Sequence, residues 1–255
     1  MLKNKVIVVT GATSGMGTAT AVNLSRQGAR VMLSGRNLER AEAVSQQIGE
    51  QGGECHLCIG DVSESAFADR LLDETAERFG RVDGLVNAAG MIYRGNALET
   101  SDAQWRDSMA TNVDGSFFTS RAAIRHFRNN GGDGGAIVNF ASTCGLVGAA
   151  GLTAYCVTKG AIVQLTRAMA LDHAGENIRV NSVCPGAIDT PMLVSGHERS
   201  GATPDQVHRA NLESIPQGRI PGPDEVASVV AFLLSDASAH MTGTNLPVDG
   251  GYTAQ

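Results

Sequence analysis

A chain of 255 residues, 42% of them apolar and 18% charged, can form one large or two small domains and is too apolar for disorder. Its net charge of −6 includes no basic block, which argues against a nucleic-acid partner, and no apolar run approaches the ~18 residues of a membrane span. Glycine is the outlier, 31 residues against a background near ~7%, which suits tight strand-to-helix turns and close backbone approach to a ligand.

In chain order, short β-branched runs alternate with longer helical patterns. Met1 to Lys5 leads straight into Val6-Ile7-Val8-Val9, without a secretory core or cleavage site. With five cysteines, an odd count, this points to free thiols and a cytoplasmic protein. Strands are predicted at 6–10, 30–34, 55–59, 84–87, 136–141, 179–184 and 245–249, with helices near 16–27, 38–51, 64–79, 102–129, 154–174 and 223–235. Continuous apolar strands are those covered by helices on both faces, and strand–helix alternation implies a parallel sheet with right-handed crossovers. The expectation is a single Rossmann-type, doubly wound α/β domain over 1–255, with a seven-stranded parallel sheet and helices on both faces.

Two segments stand outside that alternation. Residues 190–222 carry Pro, Gly, Ser and His, with a weak helical pattern only at 204–215. They follow the sixth strand at its carboxyl end, where open α/β sheets bind ligands, and read as a substrate lid. Cys55-His56-Leu57-Cys58 has a spacing used for zinc or redox chemistry. No second cysteine pair follows, and residues three apart on a strand point to opposite faces, so a structural role is expected. No histidine pair has H-x-x-x-H spacing, and no catalytic metal is expected.

Gly11, Gly15 and Gly17 form G-x-x-x-G-x-G directly after the first strand, within Thr10-Gly11-Ala12-Thr13-Ser14-Gly15-Met16-Gly17. Such a turn brings backbone N–H groups and a helix N-terminus to a pyrophosphate. After the second strand, where an NAD site places a carboxylate for the ribose 2′-OH, this chain has Ser34-Gly35-Arg36-Asn37. With no carboxylate to repel a 2′-phosphate and Arg36 able to bind one, NADP(H) is favoured, NAD(H) remaining open. Arg36 is the one basic residue counted there.

Tyr155 and Lys159 lie four apart on a predicted helix, hence on one face. A free tyrosine titrates near ~10, so acid/base work at neutral pH needs help of roughly 3 units. An ammonium on the same face stabilises the phenolate and is expected to lower that pKa. Ser142, at the carboxyl end of the fifth strand, can bond to the same substrate oxygen.

Together these elements resemble the short, single-domain branch of the short-chain dehydrogenase/reductase family over essentially the whole chain. The matching positions run from Thr10 to Gly17, then Asp61-Val62, Asn87-Ala88-Ala89-Gly90, Asn112, Ser142, Tyr155-x-x-x-Lys159 and Pro185-Gly186, followed by Ile188 and Thr190. The resemblance implies a catalytic set of Asn112, Ser142, Tyr155 and Lys159. It implies cofactor contacts from Gly11, Thr13, Ser14, Gly15, Met16, Gly17, Arg36, Asp61, Val62, Asn87, Ala88, Gly90, Tyr155, Lys159, Pro185, Gly186, Ile188 and Thr190. It further implies hydride transfer to or from a small-molecule secondary alcohol or ketone, a proton relay through Asn112 and Lys159, and a homotetramer paired through the helices near 102–129 and 154–174. Val248 to Tyr252 matches the family's end, near a second interface.

The substrate side is open. Tyr93, Arg94, Cys144, Leu146, Val147 and the lid, with His197, Arg199, His208 and Arg209, are its candidates. Arg94 could anchor a carboxylate or phosphate, but a surface-loop arginine is the preferred reading. Other readings are a catalytically silent NADP(H) sensor, an NAD-dependent polyol or sugar dehydrogenase, and the larger epimerase/dehydratase branch. The last usually carries G-x-x-G-x-x-G and a sizeable C-terminal substrate domain, and this chain has neither.

Overall fold

The computed structural model describes residues 2–195 and 203–255. Its centre is a seven-stranded parallel sheet in the order β3-β2-β1-β4-β5-β6-β7. The strands are β1 (Val6–Thr10), β2 (Arg30–Gly35), β3 (Cys55–Ile59), β4 (Gly84–Asn87), β5 (Gly135–Phe140), β6 (Ile178–Pro185) and β7 (Asn245–Val248). Strand order reverses between β1 and β4, where Ile7 pairs with Gly84 and Thr10 with Asn87. That reversal opens a crevice at the carboxyl ends of the strands.

Period-two geometry sorts the apolar runs into two cores. Ile7, Val9, Val31, Leu33 and Val138 face one layer. Val6, Val8, Met32, Leu85 and Ile137 face the other. The first layer is closed by α1 (Gly15–Arg26) and α9 (Pro223–Leu234), through Leu24, Val226 and Val230. The second is closed by α3 (Ser65–Phe79), α5 (Gly115–Arg128) and α6 (Thr153–His173), through Leu71, Leu72, Phe127 and Met169. Cys55 packs on the first layer and Cys58 is buried in the second, as their spacing on a strand requires. Burial and the neighbouring Glu74 push the Cys58 thiol up to about 12, so it is inert as a nucleophile.

The expected helix at 102–129 is broken. It consists of α4 (Asp102–Met109), a π-helical turn at Ala110–Asp114, and α5. Asn112 lies in the π turn, its amide bonded to both backbone groups of Met91: Nδ2 donates to the carbonyl at 2.9 Å and Oδ1 accepts from N–H at 2.8 Å. Widened turns of this kind are frequent at functional sites. In the 190–222 segment, α8 (Pro204–Ser214) falls on the weak helical pattern expected at 204–215, and α7 (Pro191–Val194) is a short helix that no pattern indicated. A capping box between Thr203 and Gln206, with Pro204 in the first turn, starts α8. His197 and Arg199 lie outside the described residues. Among the described residues no helix is long and apolar enough to cross a membrane.

Candidate active site

Two cavities open side by side at the carboxyl ends of the strands. The larger, about 470 Å³, runs from the glycine turn across the ends of β2, β3 and β4. The smaller, about 260 Å³, lies between β5, β6, α6 and the segment that carries α7 and α8. Met16, Thr190 and Met192 wall both.

The larger cavity is built mainly from backbone. Gly11 has φ +65°, and a Cβ there would stand 2.6 Å from the Ala89 nitrogen. At Gly17 a Cβ would meet the Gly11 carbonyl at 2.1 Å, so this glycine closes the turn on itself. Gly15, at φ +51°, meets nothing closer than Thr190 at 3.4 Å and leaves its side of the turn open. Ser14 caps α1 in extended conformation without a side-chain hydrogen bond to the helix, so the first N–H groups are not taken up by the cap. This cradle, closed to a Cβ at Gly11 and Gly17 and open at Gly15, fits a dinucleotide pyrophosphate.

Of the expected cofactor contacts, Gly11, Thr13, Ser14, Gly15, Met16, Gly17, Arg36, Asp61, Val62, Ala88, Gly90 and Thr190 wall this cavity. Asn87 does not. Its amide is 3% exposed and turned into the protein, donating to Asn139 Oδ1 and Ser120 Oγ, both at 2.9 Å, and accepting from Thr119 Oγ1 at 2.7 Å. Asn139 continues the chain to Thr166 Oγ1 at 2.9 Å, tying β4 and β5 to α5 and α6 beneath the site. Asn87 is therefore a brace. Pro185, Gly186 and Ile188 wall the smaller cavity instead.

Arg36 extends into solvent with Nη1 3.7 Å from Asp61 Oδ2. Burial pushes the Asp61 carboxyl up, but Ser63 hydrogen bonds and Arg36 outweigh it and hold the group below its ordinary value. Arg36 is not the only basic group here: Arg40 also walls the cavity. Asn37 caps α2 (Leu38–Glu50) by accepting from the Arg40 N–H at 2.8 Å, which sets Arg40 in the first helical turn. An Asn N-cap three residues earlier was the overlooked signal.

The smaller cavity holds Ser142 and Tyr155 in its wall. Ser142 sits two residues past the end of β5, still in extended backbone, its Oγ accepting from the Cys144 N–H at 3.1 Å. Lys159, 5% exposed, donates from Nζ to the Phe140 carbonyl at 2.7 Å and lies 5.6 Å from the centre of the Tyr155 ring. Burial pulls its ammonium down to about 8. Tyr155 departs from expectation. Burial and the neighbouring Cys144 thiol push its phenol above its ordinary value, and Ser142 and Arg94 only partly offset them. Desolvation here outweighs the help expected from Lys159.

Asn112 and Lys159 do not touch directly. They flank Gly90, where a Cβ would lie 3.4 Å from Asn112 Oδ1 and 3.7 Å from Lys159 Nζ. Asn112 is also bonded to Thr158 Oγ1 at 3.0 Å, one residue before the lysine.

Around Ser142 and Tyr155, the candidates Cys144 and Val147 line the cavity, and so does Arg94, against the preferred reading of a surface-loop residue, whereas Leu146, Tyr93, His208 and Arg209 do not. Leu146 packs below on Ile162 and Val163, and Tyr93 turns toward Asp107, 3.4 Å from its hydroxyl. Ile92 takes the place given to Tyr93, and Thr190, Met192, Leu193, Asn211, Ser214 and Ile215 come from the 190–222 segment. The C-terminal Tyr252 is a further wall that the motifs did not disclose. It arrives through Gly250 and Gly251, both in the left-handed region, while Asp249 accepts from the Thr253 N–H at 2.9 Å.

A family model described as enoyl-(acyl carrier protein) reductase matches residues 11–253. The chain is 41% identical to meso-2,3-butanediol dehydrogenase of Serratia marcescens over 98% of this chain and 95% of that one. It is 37% identical to the NADP-dependent (R)-specific alcohol dehydrogenase of Lentilactobacillus kefiri over 100% of this chain and 98% of that one. Among solved structures, levodione reductase superposes with a TM-score of 0.95 at 32% identity, covering 100% of this chain and 99% of the other.

Proposed function

The chain belongs to the short-chain dehydrogenase/reductase family, and on that premise we propose that it interconverts a secondary alcohol and a ketone with NADP(H), Tyr155 acting as general acid/base. The observation that carries this reading is the junction of the two cavities. Tyr155 and Ser142 stand in one wall, the glycine cradle in the other, and Met16, Thr190 and Met192 are common to both. When bound, the nicotinamide supplies or takes up the hydride.

The residues supply the rest. A buried phenol with a raised pKa is protonated at neutral pH and can donate to a carbonyl oxygen. Lys159, held on the Phe140 carbonyl, places a positive charge beside the ring and favours the phenolate left behind. Ser142 Oγ, fixed by the Cys144 N–H, orients the substrate oxygen. Gly90 keeps space between Asn112 and Lys159, the route that a proton relay requires. Alcohol oxidation needs the same phenol deprotonated, so that direction accelerates as pH rises.

Arg36 directly after β2 and Arg40 in the first turn of α2 both wall the cavity, and the two residues that follow the strand, Arg36 and Asn37, are not acidic, which supports NADP(H) over NAD(H). Asn112, Ser142, Tyr155 and Lys159 form the proposed catalytic set. Five free thiols support a reducing compartment. Exposed Trp105, Phe117 and Val157 on α4, α5 and α6 support a homotetramer paired through those helices.

Absorbance at the reduced-nicotinamide band, with a ketone panel and NADPH or NADH, tests the reading. The expected result is ketone-dependent oxidation of NADPH with higher kcat/KM than with NADH. Tight NADP(H) binding with no turnover on any carbonyl or alcohol would identify a sensor instead.

A further inference from the structure

Arg94 belongs to none of the motifs above, and it is not the surface-loop residue that its sequence context suggests. Its segment is pinned beside the start of α6: the Gly95 N–H donates to the Gly151 carbonyl at 2.7 Å, four residues before Tyr155. The half-buried side chain enters the wall that holds Ser142 and Tyr155, among Ile92, Leu152 and Leu193.

Two neutral carbonyls hold one edge of the guanidinium. Nε donates to Ser195 at 2.8 Å and Nη2 to Leu193 at 3.2 Å. These two bonds fix the plane and leave three of its five N–H groups, both on Nη1 included, without a hydrogen-bond partner among the described residues. Nor does any described carboxylate lie within ion-pair distance, in contrast to Arg36, Arg81, Arg128 and Arg219. A cation in a largely apolar wall, oriented and without a carboxylate partner among the described residues, is complementary to an anion presented beside the reacting carbon.

We propose that Arg94 binds a carboxylate of the substrate, so that the preferred substrates are short oxo acids and the corresponding hydroxy acids. This rests on the hydride-transfer reading above and names the substrate class of that same site.

Matched pairs differing only in the anion test it: 4-oxopentanoate against 2-pentanone, and 3-oxobutanoate against 2-butanone, each with NADPH and with NADH. The wild-type enzyme should favour at least one acid over its neutral partner by about tenfold or more in kcat/KM. In Arg94→Gln that acid-to-neutral ratio should fall by at least about 30-fold, chiefly through KM for the acid, and Arg94→Lys should recover part of it. A wild-type enzyme that reduces the neutral ketones equally well or better overturns the inference and leaves the hydride-transfer reading intact. Equal losses on both members of a pair in Arg94→Gln would reduce Arg94 to a tie on the Leu193–Ser195 segment, also overturning it. Reduction of none of the four while other ketones of the panel are turned over would overturn the inference alone, and no turnover on any carbonyl or alcohol would overturn both.

Discussion

The two cavities are built by different means. The cofactor cavity is made of backbone turns at the ends of β1, β2, β3 and β4, with Gly11, Gly15, Gly17 and Gly90 setting its shape. The smaller cavity draws on six separate places: Ile92 and Arg94, the turn after β5, α6, the end of β6, the 190–215 segment and the C-terminal Tyr252. Main-chain geometry of the first kind suits a constant group, whereas a wall of side chains changes what it accepts when a few of them change.

That contrast can be broken at the point where the cavities meet. Lys159→Met should lower kcat on the order of 10²–10⁴-fold while NADPH binding persists. The same variant should alter stability in alkali. Burial lowers the folded pKa of Lys159 to about 8, below the ordinary 10.5, so above pH 8 the native state has released a proton that the unfolded chain still binds. Stability from this group therefore rises with pH through that window, and denaturation midpoints across it should rise less in the Met variant.

Gly17→Ala probes the backbone side alone. Its Cβ would stand 2.1 Å from the Gly11 carbonyl, so the turn must open. Destabilisation of about 2 kcal/mol and loss of most NADPH affinity are expected from thermal melts and fluorescence titration. On the same side, Arg36→Ser and Arg40→Ser should each weaken NADPH by about tenfold, with little change in NADH. Equal effects on both nucleotides would place these arginines on a part of the cofactor common to both. The smallest effect belongs to Gly90→Ala. Its Cβ fits at ordinary contact distance, so stability should hold while kcat falls about threefold to fivefold as the gap beside Asn112 and Lys159 fills.

The same contrast explains what could be read from the amino acids. The glycine turn, Arg36, Asp61, Ser142 and the Tyr155–Lys159 pair are local patterns at fixed distances from strands, and the strands were legible as continuous apolar runs. The direction of the Asn87 amide was not legible, because a motif gives a position in the chain and not the orientation of a side chain that β5 and α5 both recruit. The π turn at Asn112 follows from a bond pair to Met91, 21 residues away, which helical periodicity cannot register. Arg94 and Tyr252 reach the substrate cavity only after Gly95 joins Gly151 and the C-terminal turn packs against Ile215. Long-range contacts of that kind leave no local pattern.

The most direct measurement is the turnover of Tyr155→Phe, with NADPH oxidation followed on the best ketone and cofactor binding measured in parallel. The substitution removes one oxygen from the junction of the cavities and none of the glycine cradle. The account predicts that ketone-dependent oxidation disappears while the NADPH dissociation constant stays near the wild-type value. Turnover retained in that variant would contradict it.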